Sequence, residues 1–327
     1  MFNKLKTFKA LCATVLISAA FTGSALAQDY PNRAITLVVP YVPGTLIDVF
    51  ARMVADQLGP ILKQTVIVEN RPGAYQVVAS NYVARAKPDG HTLMASVMPN
   101  VTPESLHRSS SFIPNADFAP VSYFSALDML LAVPVNLPVS TLDEFIALVK
   151  ASPGKYVFGS AGVGTPHHMM LEMLSKQAAL SAVHVPYKSI QTIIQDVSSG
   201  QLNYSFLPSS AMQFVATGKI KVLGTTAIKR DPAYPEVKTL DEQGVKGLSG
   251  LIKFFIVAPK GTPPAILNKL NAAINTVISS EAFAKKVQPI GGIAIPPPLP
   301  VAEVTKQYMV EDMRFETLVK EGGIKLD

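Results

Sequence analysis

The sequence predicts an α/β protein built from two lobes, and three observations support this prediction. Short apolar runs alternate with helix-like segments along the chain, separated by turns rich in Gly and Pro. The length of 327 residues is more than one small core needs and suits two lobes of about 150 residues each. The strand and helix patterns also fall into three blocks, so we expect the chain to cross between the lobes twice.

The first block has the order strand, helix, strand, helix, strand. The continuous apolar run 35–39 (ITLVV) predicts a strand of a parallel sheet covered on both faces. Apolar residues at helical spacing follow in 48–62. Two further strands are predicted at 65–69 and 91–97, with a helix at 76–86 between them. This order implies a parallel sheet with right-handed crossovers.

The second block begins near residue 123 and the third near residue 254. Thr141, followed by Glu144 three residues later, has the signature of a capping box and predicts a helix start. The predicted strands of these blocks are 130–133, 156–159, 184–187, 203–207, 221–225, 254–258 and 290–295. The other predicted helices begin at 167 and 208 or span 189–199, 263–280 and 301–321.

The first 27 residues have the organisation of a secretory signal peptide. Lys4, Lys6 and Lys9 form a basic segment, an apolar stretch follows, and residues 25–27 (ALA) provide a cleavage site. An uncleaved membrane anchor is the alternative, which the shortness of the apolar stretch disfavours. We therefore predict that residues 1–27 are removed and that the mature chain is soluble outside the cytoplasm.

Charge and cysteine content exclude several classes of function for the mature chain. Cleavage removes three of the 29 Lys and Arg residues, which leaves 26 basic against 23 acidic side chains. A net charge of +3 without a Lys/Arg run does not indicate nucleic-acid binding. Cys12 is the one cysteine and lies in the signal peptide. The mature chain therefore has no disulfide or thiol chemistry and depends on burial for its stability.

Three loops between a predicted strand and a helix start share small residues and proline: 43–45 (PGT), 160–165 (SAGVGT) and 207–210 (LPSS). Open parallel sheets bind ligands at the carboxyl ends of their strands. Helix starts there carry unpaired N–H groups and a partial positive charge, which favour carboxylate or phosphate. Ordinary helix capping explains any one loop, whereas the three together indicate an anion-binding cleft.

Metal binding and catalysis have weaker support in the sequence. His167, His168 and Met169 suggest a metal site, but adjacent helical residues point about 100° apart and cannot both face one ion. Residues 159–162 (GSAG) do not form the G-x-S-x-G nucleophile elbow. No glycine-rich loop contains a P-loop lysine. We therefore predict no catalytic residue, no metal and no cofactor.

Seven segments of the mature chain resemble, in order, motifs of the Bug-type solute receptors, which are the periplasmic binding components of tripartite tricarboxylate transporters. The segments are 30–35 (YPNRAI), 66–74 (VIVENRPGA), 87–93 (KPDGHTL), 117–121 (DFAPV), 160–165 (SAGVGT, with His168), 184–188 (HVPYK) and 258–263 (APKGTP). The resemblance runs from Tyr30 to the C-terminus, and the motifs together are very specific.

This resemblance implies a type II-like periplasmic binding protein with the ligand in the cleft between two lobes. The first lobe would contain residues 28–126 and 252–327, and the second would contain 127–251. The implied protein is a periplasmic monomer that captures a small carboxylate and delivers it to the membrane permease of a tripartite tricarboxylate transporter. It would be neither an enzyme nor a nucleic-acid-binding protein.

The resemblance also implies that loops 40–48 and 160–168 hold a ligand carboxylate through backbone N–H groups and waters. The amides of Thr45, Gly164 and Thr165 are expected to face the ligand. The full set of predicted ligand-binding residues is Tyr41, Gly44, Thr45, Asp48, Ser96, Met98, Ser160, Gly162, Gly164, Thr165, His168, Lys188 and Ser205. Within this set we expect Asp48 to cap a helix rather than touch the ligand.

Departures from the family motifs bear on the ligand. Tyr75 stands where the motif GAGGNIGA has glycine, and Asn203 and Leu207 replace two usual acids of the motif VDLMFDN. Such a cleft suits an ammonium group less and an apolar or aromatic body better. One ring of Phe254 and Phe255 is expected in the core, which leaves the other as a candidate for stacking on the ligand. We predict a ligand with one or two carboxylates on an apolar or aromatic skeleton.

Two alternative functions remain at this point. A periplasmic metal-binding protein would use His167, His168 and Met169. A receptor that passes its signal to a partner protein would use the same closed lobes as a transport receptor, so the sequence does not separate these two functions.

Overall fold

The computed structural model of this chain describes residues 30–73, 76–98, 114–163, 165–250, 252–287 and 293–322. The predicted signal peptide at 1–27, Tyr75 and Gly164 lie outside the described residues. A first unit ends at Asn32, and residues 33–327 make up a second unit that contains every helix and strand given below.

Strands and helices alternate along most of the described chain, as the sequence predicts. The strands are β1 (Ile35–Val39), β2 (Val66–Asn70), β3 (Thr92–Met98), β4 (Phe118–Leu127), β5 (Met129–Pro134), β6 (Val157–Ser160), β7 (Val183–Pro186), β8 (Ser205–Pro208), β9 (Ile220–Thr225), β10 (Ile252–Pro259) and β11 (Ile293–Ala294). The helices are α1 (Leu46–Leu62), α2 (Val77–Ala84), α3 (Pro114–Asp117), α4 (Leu142–Lys150), α5 (Pro166–Gln177), α6 (Ile190–Ser199), α7 (Met212–Ala216), α8 (Pro264–Ile278), α9 (Glu281–Val287) and α10 (Val301–Gly322).

The largest sheet has the strand order β11-β4-β10-β3-β1-β2. β1 pairs in parallel with both β2 and β3, as predicted for the first block. β10 lies between β3 and β4 and runs antiparallel to both. A strand from the third block therefore completes a sheet that the first block begins, and the sheet is mixed rather than purely parallel.

β4 is the longest strand of this sheet, and the sequence did not predict it. Its residues include Pro120, Ser122 and Ser125, which interrupt the apolar pattern expected of a buried strand. Pro120 pairs with Val257 next to an irregularity in the register between β4 and β10. Because proline cannot donate a hydrogen bond to the neighbouring strand, it is found in sheets mainly at edges and at irregular positions such as this one.

Two smaller sheets come from the segment between β5 and β9. One has the order β8-β5-β9 with β5 antiparallel to both neighbours, and the other is the parallel pair β6-β7. The strand–helix rhythm of the sequence favours parallel neighbours throughout. β5 departs from this expectation, since it runs antiparallel to β8 on one side and to β9 on the other.

Helices cover the sheets and close two hydrophobic cores. In the large sheet, Phe255 is fully buried and meets Tyr308 of α10 edge to face, with ring centroids 5.2 Å apart. In the second core, Ile193 and Val197 of α6 pack with Leu207 of β8. The apolar stripe predicted for 189–199 therefore faces this core.

The predicted capping box at the start of α4 is present. The Thr141 hydroxyl accepts the N–H of Glu144 at 3.2 Å, and the Glu144 carboxylate accepts the N–H of Thr141 at 3.3 Å.

Among the described residues, no helix is both long enough and apolar enough to cross a membrane.

Candidate ligand-binding cleft

A cleft of about 660 Å³ lies at the carboxyl end of β1, next to the starts of α1, α5 and α6. Its walls also include the ends of β3, β4 and β8 and the beginnings of β5 and β10. This volume lies within the range of small-molecule sites. The position agrees with the rule that open sheets bind ligands at the carboxyl ends of their strands.

The described lining of the cleft is largely apolar and carries a single formal charge, and its uncharged polar side chains are Tyr41, Thr45, Thr165, His167, Ser189, Gln191 and Ser210. Lys188 is the one charged side chain among the described residues that line it, and no acidic side chain belongs to that set. The larger apolar side chains of the lining, apart from its two prolines, are Val42, Leu46, Ile47, Val49, Val97, Leu127, Met129, Ile190, Ile194, Ile252 and Phe254. This composition favours a ligand that combines hydrocarbon with a negative charge and disfavours an ammonium group.

Asp48 fixes the loop between β1 and α1 from inside the protein. Its buried carboxylate accepts hydrogen bonds from the Gly44 N–H at 2.9 Å, from Arg52 at 3.1 Å and from Asn70 at 2.8 Å. Burial by itself would raise the pKa of Asp48, but the bonds from these three partners hold that pKa below its usual value. Asp48 is thus a charged anchor for the loop and is not among the described lining residues of the cleft.

At the start of α1, the backbone N–H groups of Gly44 and Thr45 bond within the loop, whereas the Thr45 amide was expected to face the ligand. The Gly44 N–H is occupied by Asp48, and the Thr45 N–H lies 3.4 Å from the Val42 carbonyl. The Thr45 hydroxyl also donates to that carbonyl, at 2.9 Å, and no side chain caps the helix. The first-turn N–H groups therefore begin at Leu46 and Ile47, both of which line the cleft.

The loop between β6 and α5 is held by its own hydrogen bonds. The Thr165 hydroxyl donates to the Gly162 carbonyl at 2.8 Å and accepts the His168 N–H at 3.2 Å, which caps α5. The Ser160 hydroxyl accepts the Gly162 N–H at 3.2 Å. Gly162 has a φ of +115°, a conformation that side-chain-bearing residues rarely adopt. Ala161 and Thr165 of this loop contribute to one wall of the cleft.

Three histidines lie together beside this wall. The ring of His168 stacks on that of His184 with centroids 3.9 Å apart, and His184 Nε2 lies 2.7 Å from the Ser160 hydroxyl. Burial, with neighbouring imidazoles adding to it, lowers the pKa of His167 and of His184 to about 4, so both are neutral at neutral pH. Among the described residues, no group of three or more His, Cys, Asp or Glu side chains is arranged to hold a metal ion.

His167, rather than His168, lines the cleft. Its Nδ1 accepts the Ala161 N–H at 3.0 Å, so the proton of the neutral ring lies on Nε2. The sequence named His168 because it is the His of the family motif, but consecutive residues of a helix point in different directions. His168 packs inside and reaches Glu172, with its Nε2 3.4 Å from the carboxylate.

The structure brings part of the predicted site together. Tyr41, Gly44, Thr45, Thr165 and Lys188 line the cleft. Other predicted residues, none of which is among the described lining residues, are Asp48, Ser96, Met98, Ser160, Gly162, His168 and Ser205, and Gly164 lies outside the described residues.

The strand residues Ser96 and Met98 differ from the expectation by one position. Val97, between them, lines the cleft, whereas Ser96 is fully buried and Met98 packs in the core around Val38. Successive side chains of a strand point to opposite faces of the sheet, so a shift of one residue moves a side chain from the cleft to the core. Ser205 likewise points inward and donates to the Gly159 carbonyl at 2.8 Å.

The departures at Asn203 and Leu207 do not shape the cleft as the sequence suggested. The Asn203 side-chain oxygen accepts the Val157 N–H at 2.7 Å, and Leu207 is fully buried in the core against α6. Neither is a described lining residue. The apolar character of the cleft comes instead from residues that sequence analysis did not select, among them Met129 and Ile252.

Of the two neighbouring rings, Phe255 lies in the core and Phe254 lines the cleft, an assignment that the sequence left open. Phe255 belongs to the core of the large sheet, and its ring stacks on Tyr123 with centroids 5.1 Å apart. Phe254 lines the cleft and is held from behind by Phe50, at 5.6 Å and edge to face. Alternation along β10 separates the two rings, but only the assembled sheet shows which of them faces the cleft.

The fold is that of one class of protein, the periplasmic solute-binding proteins, as the similarity to their solved structures shows. A solved structure of the periplasmic binding protein BugD superposes with a TM-score of 0.77 at 26% identity, over 90% of this chain and 99% of that one. Rpa4515 of R. palustris, solved with adipate, gives a TM-score of 0.76 at 27% identity, over 90% and 99%. MatC of Rhodopseudomonas palustris, solved with bound malate, gives 0.77 at 27% identity, over 89% and 100%.

The family follows from the sequence comparison. The family model described as "Tripartite tricarboxylate transporter family receptor" matches residues 50–312. A relative from Cupriavidus necator, the UPF0065 protein in the gbd 5′ region, is 35% identical over 270 residues, which is 82% of each chain. The chain therefore belongs to the tripartite tricarboxylate transporter receptor family. Members of this family are solute-binding receptors and not enzymes, and the homologues are periplasmic.

Proposed function

We propose that this protein captures a small carboxylate with an apolar or aromatic skeleton and delivers it to the permease of a tripartite tricarboxylate transporter. The observation that carries the proposal is the composition of the cleft, in which Lys188 is the one charged side chain among described lining residues that are otherwise largely apolar. A carboxylate can pair with the ammonium group, while its body replaces water against hydrocarbon. The adipate and malate bound by Rpa4515 and MatC support the carboxylate part of the proposal.

Two anion-attracting features contribute to this cleft. The first is Lys188, at the start of the segment that leads into α6. The second is the first turn of α1, where Leu46 and Ile47 line the cleft and no side chain caps the helix. A helix N-terminus stabilises a negative charge through its free N–H groups and its dipole. A ligand with one carboxylate would use one of these features, and a dicarboxylate would use both.

We further infer that the receptor works by closing two lobes on the ligand. The first lobe would contain residues 28–126 and 252–327, and the second would contain 127–251. Leu46 and Lys188 would then lie on opposite lobes, so that one ligand would favour the closed form by contacting both. In this proposal residues 1–27 are a cleaved signal peptide, and the mature protein is a periplasmic monomer.

A thermal-melt screen tests the proposed function. The mature protein would be unfolded and refolded to remove carried-over ligand, then heated with hexanoate, adipate, malate, benzoate, glutamate or lysine. A ligand at about 100 times its dissociation constant adds roughly 2.7 kcal/mol to the free energy of unfolding, which raises Tm by several degrees. We expect a rise with acids that have an apolar body and none with lysine. A rise with lysine but with no acid would contradict the proposal.

A further inference from the structure

Gln76 has a conformation that a residue with a side chain adopts only at a cost. Its φ is +76°, in the left-handed region where glycine is the usual residue. Its side chain is almost completely buried. A strained backbone persists where the surrounding structure compensates for it, and such positions cluster near functional sites. The contacts of the Gln76 side chain are therefore informative.

The side-chain amide of Gln76 occupies both main-chain polar groups of Val97. Its Nε2 donates to the Val97 carbonyl at 3.2 Å, and its Oε1 accepts the Val97 N–H at 3.4 Å. The described pairing of β3 with β1 covers Thr92–Met94, so Val97 lies beyond it at the carboxyl end of the sheet. The amide of Gln76 thus replaces a neighbouring strand for this one residue.

Val97 is part of the cleft, and it lies opposite Phe254 in the pairing of β3 with β10. Without Gln76, the N–H and C=O groups of Val97 would be open to water or to a polar group of the ligand. With Gln76, this part of the wall presents hydrocarbon. We propose that Gln76 is a specificity-determining positioning residue, which acts through Val97 and makes the cleft discriminate against acids that place a second polar group at this wall.

This inference rests on the proposed function, because it concerns which carboxylates the same cleft prefers. Hexanoate and adipate are matched probes, since they share a six-carbon chain and differ in one end, a methyl group or a second carboxylate. The wild-type protein is expected to bind hexanoate relatively better than a variant in which the Val97 groups are exposed. When the polar groups of Val97 are already hydrogen-bonded, the second carboxylate of adipate finds no partner there. Binding must still remove water from that carboxylate, which costs free energy.

The test uses Gln76→Gly and Gln76→Asn in the refolded mature protein. Glycine fits the left-handed backbone, and asparagine tolerates it but has one methylene less and does not reach both groups. Lys63→Gly is the matched control, because Lys63 also has a left-handed φ, of 54°, but lies at the exposed end of α1 outside the described lining of the cleft. The readouts are amide hydrogen exchange at Val97 and the dissociation constants for hexanoate and adipate.

Both Gln76 variants are expected to speed exchange at Val97 and to shift the hexanoate-to-adipate affinity ratio about tenfold towards adipate, while Lys63→Gly changes neither. Unchanged exchange at Val97 would overturn the inference, and so would faster exchange with an unchanged ratio or an equal shift in Lys63→Gly. A refolded wild-type protein that binds none of the acids in the screen would instead overturn the proposed function, and the specificity role with it. Wild-type binding therefore separates the two failures.

Discussion

At the scale of single residues, two charged side chains differ in their relation to the cleft: Lys188 lines it, and Asp128 is partly buried next to two residues that line it. Lys188 is exposed and provides the one charge of the described cleft lining. Asp128 lies between Leu127 and Met129, which both line the cleft, and it faces a second cavity of about 260 Å³. Burial, with the nearby carboxylate of Asp231 adding to it, raises the pKa of Asp128 to about 6.

Lys188→Met is expected to weaken carboxylate binding about tenfold while leaving Tm without ligand nearly unchanged. Methionine keeps much of the apolar stem and removes the ammonium group, so that the loss reports the charge. Isothermal titration with the best acid of the screen provides the measurement. Lys87→Met is the control, because Lys87 is exposed and lies outside the described cleft lining. Equal affinities for the two variants would show that Lys188 does not pair with the ligand.

Asp128→Asn is expected to stabilise the protein above pH 6 and to have little effect below pH 4. The folded-state pKa of about 6 lies above the unfolded value of 3.8, so the folded protein retains a proton that the unfolded chain has lost between these pH values. The wild type therefore loses stability from this group as pH rises from 4 to 6, by roughly 3 kcal/mol, and asparagine does not. Melting curves of both proteins from pH 4 to 8 measure the difference. A constant difference across this range would contradict the assignment.

At the scale of elements, the loop between β1 and α1 is tied to β2 by one side chain. The Asn70 amide donates to the Tyr41 carbonyl at 3.0 Å and to Asp48 at 2.8 Å, and its oxygen accepts from Arg52 at 2.9 Å. Asn70 thus holds both ends of a loop that lines the cleft, although it does not line the cleft itself. A residue at the end of a strand can in this way set the position of a binding loop.

Asn70→Ala is expected to lower the free energy of unfolding by about 1–3 kcal/mol and to weaken ligand binding at least tenfold. The physical reason is that Tyr41 and the buried Asp48 both lose a hydrogen bond, so that the loop is no longer fixed for the ligand. Asn203→Ala is the matched control, since Asn203 also bonds the backbone, at Val157, but outside the described cleft lining. A comparable loss of affinity in both variants would mean that global destabilisation, and not the loop, weakens binding.

At the scale of the whole molecule, the cleft collects residues that are far apart in sequence. Leu46 and Lys188, which lie on opposite lobes in the proposed function, are 142 positions apart in the sequence. Phe254 comes from β10, the strand with which the chain returns to the large sheet. A ligand would stabilise the closed form of such a cleft only to the extent that it binds the closed form more tightly than the open form.

Closure is expected to reduce the radius of gyration when ligand is added, which small-angle scattering measures. The acid that gives the largest melting shift would be added at saturation to the refolded protein. Lys188→Met at the same acid concentration provides a comparison, because it removes the proposed contact of the second lobe. An unchanged radius at saturation would contradict the closing mechanism and leave the binding function intact.

The sequence by itself determined the α/β class, most strands and helices, the capping box at Thr141 and the resemblance to the family. These properties depend on local periodicity and on short motifs, which the chain carries irrespective of its final packing. It also selected Tyr41, Thr165 and Lys188 for the site, and all three line the cleft and lie in strand-to-helix connections. It failed at β4, where proline and serines interrupt the apolar pattern of a strand that the sheet nevertheless buries.

The tertiary structure alone decided which face of each element meets the cleft. It placed Val97 there rather than Ser96 or Met98, and His167 rather than His168, because the pleat and the helical turn assign neighbouring residues to different faces. It also used the Gly44 amide inside the loop and turned Leu207 into the core. Neighbouring positions in a buried apolar strand look alike in a sequence, and only the partner strands and helices determine which of them remains open to a ligand.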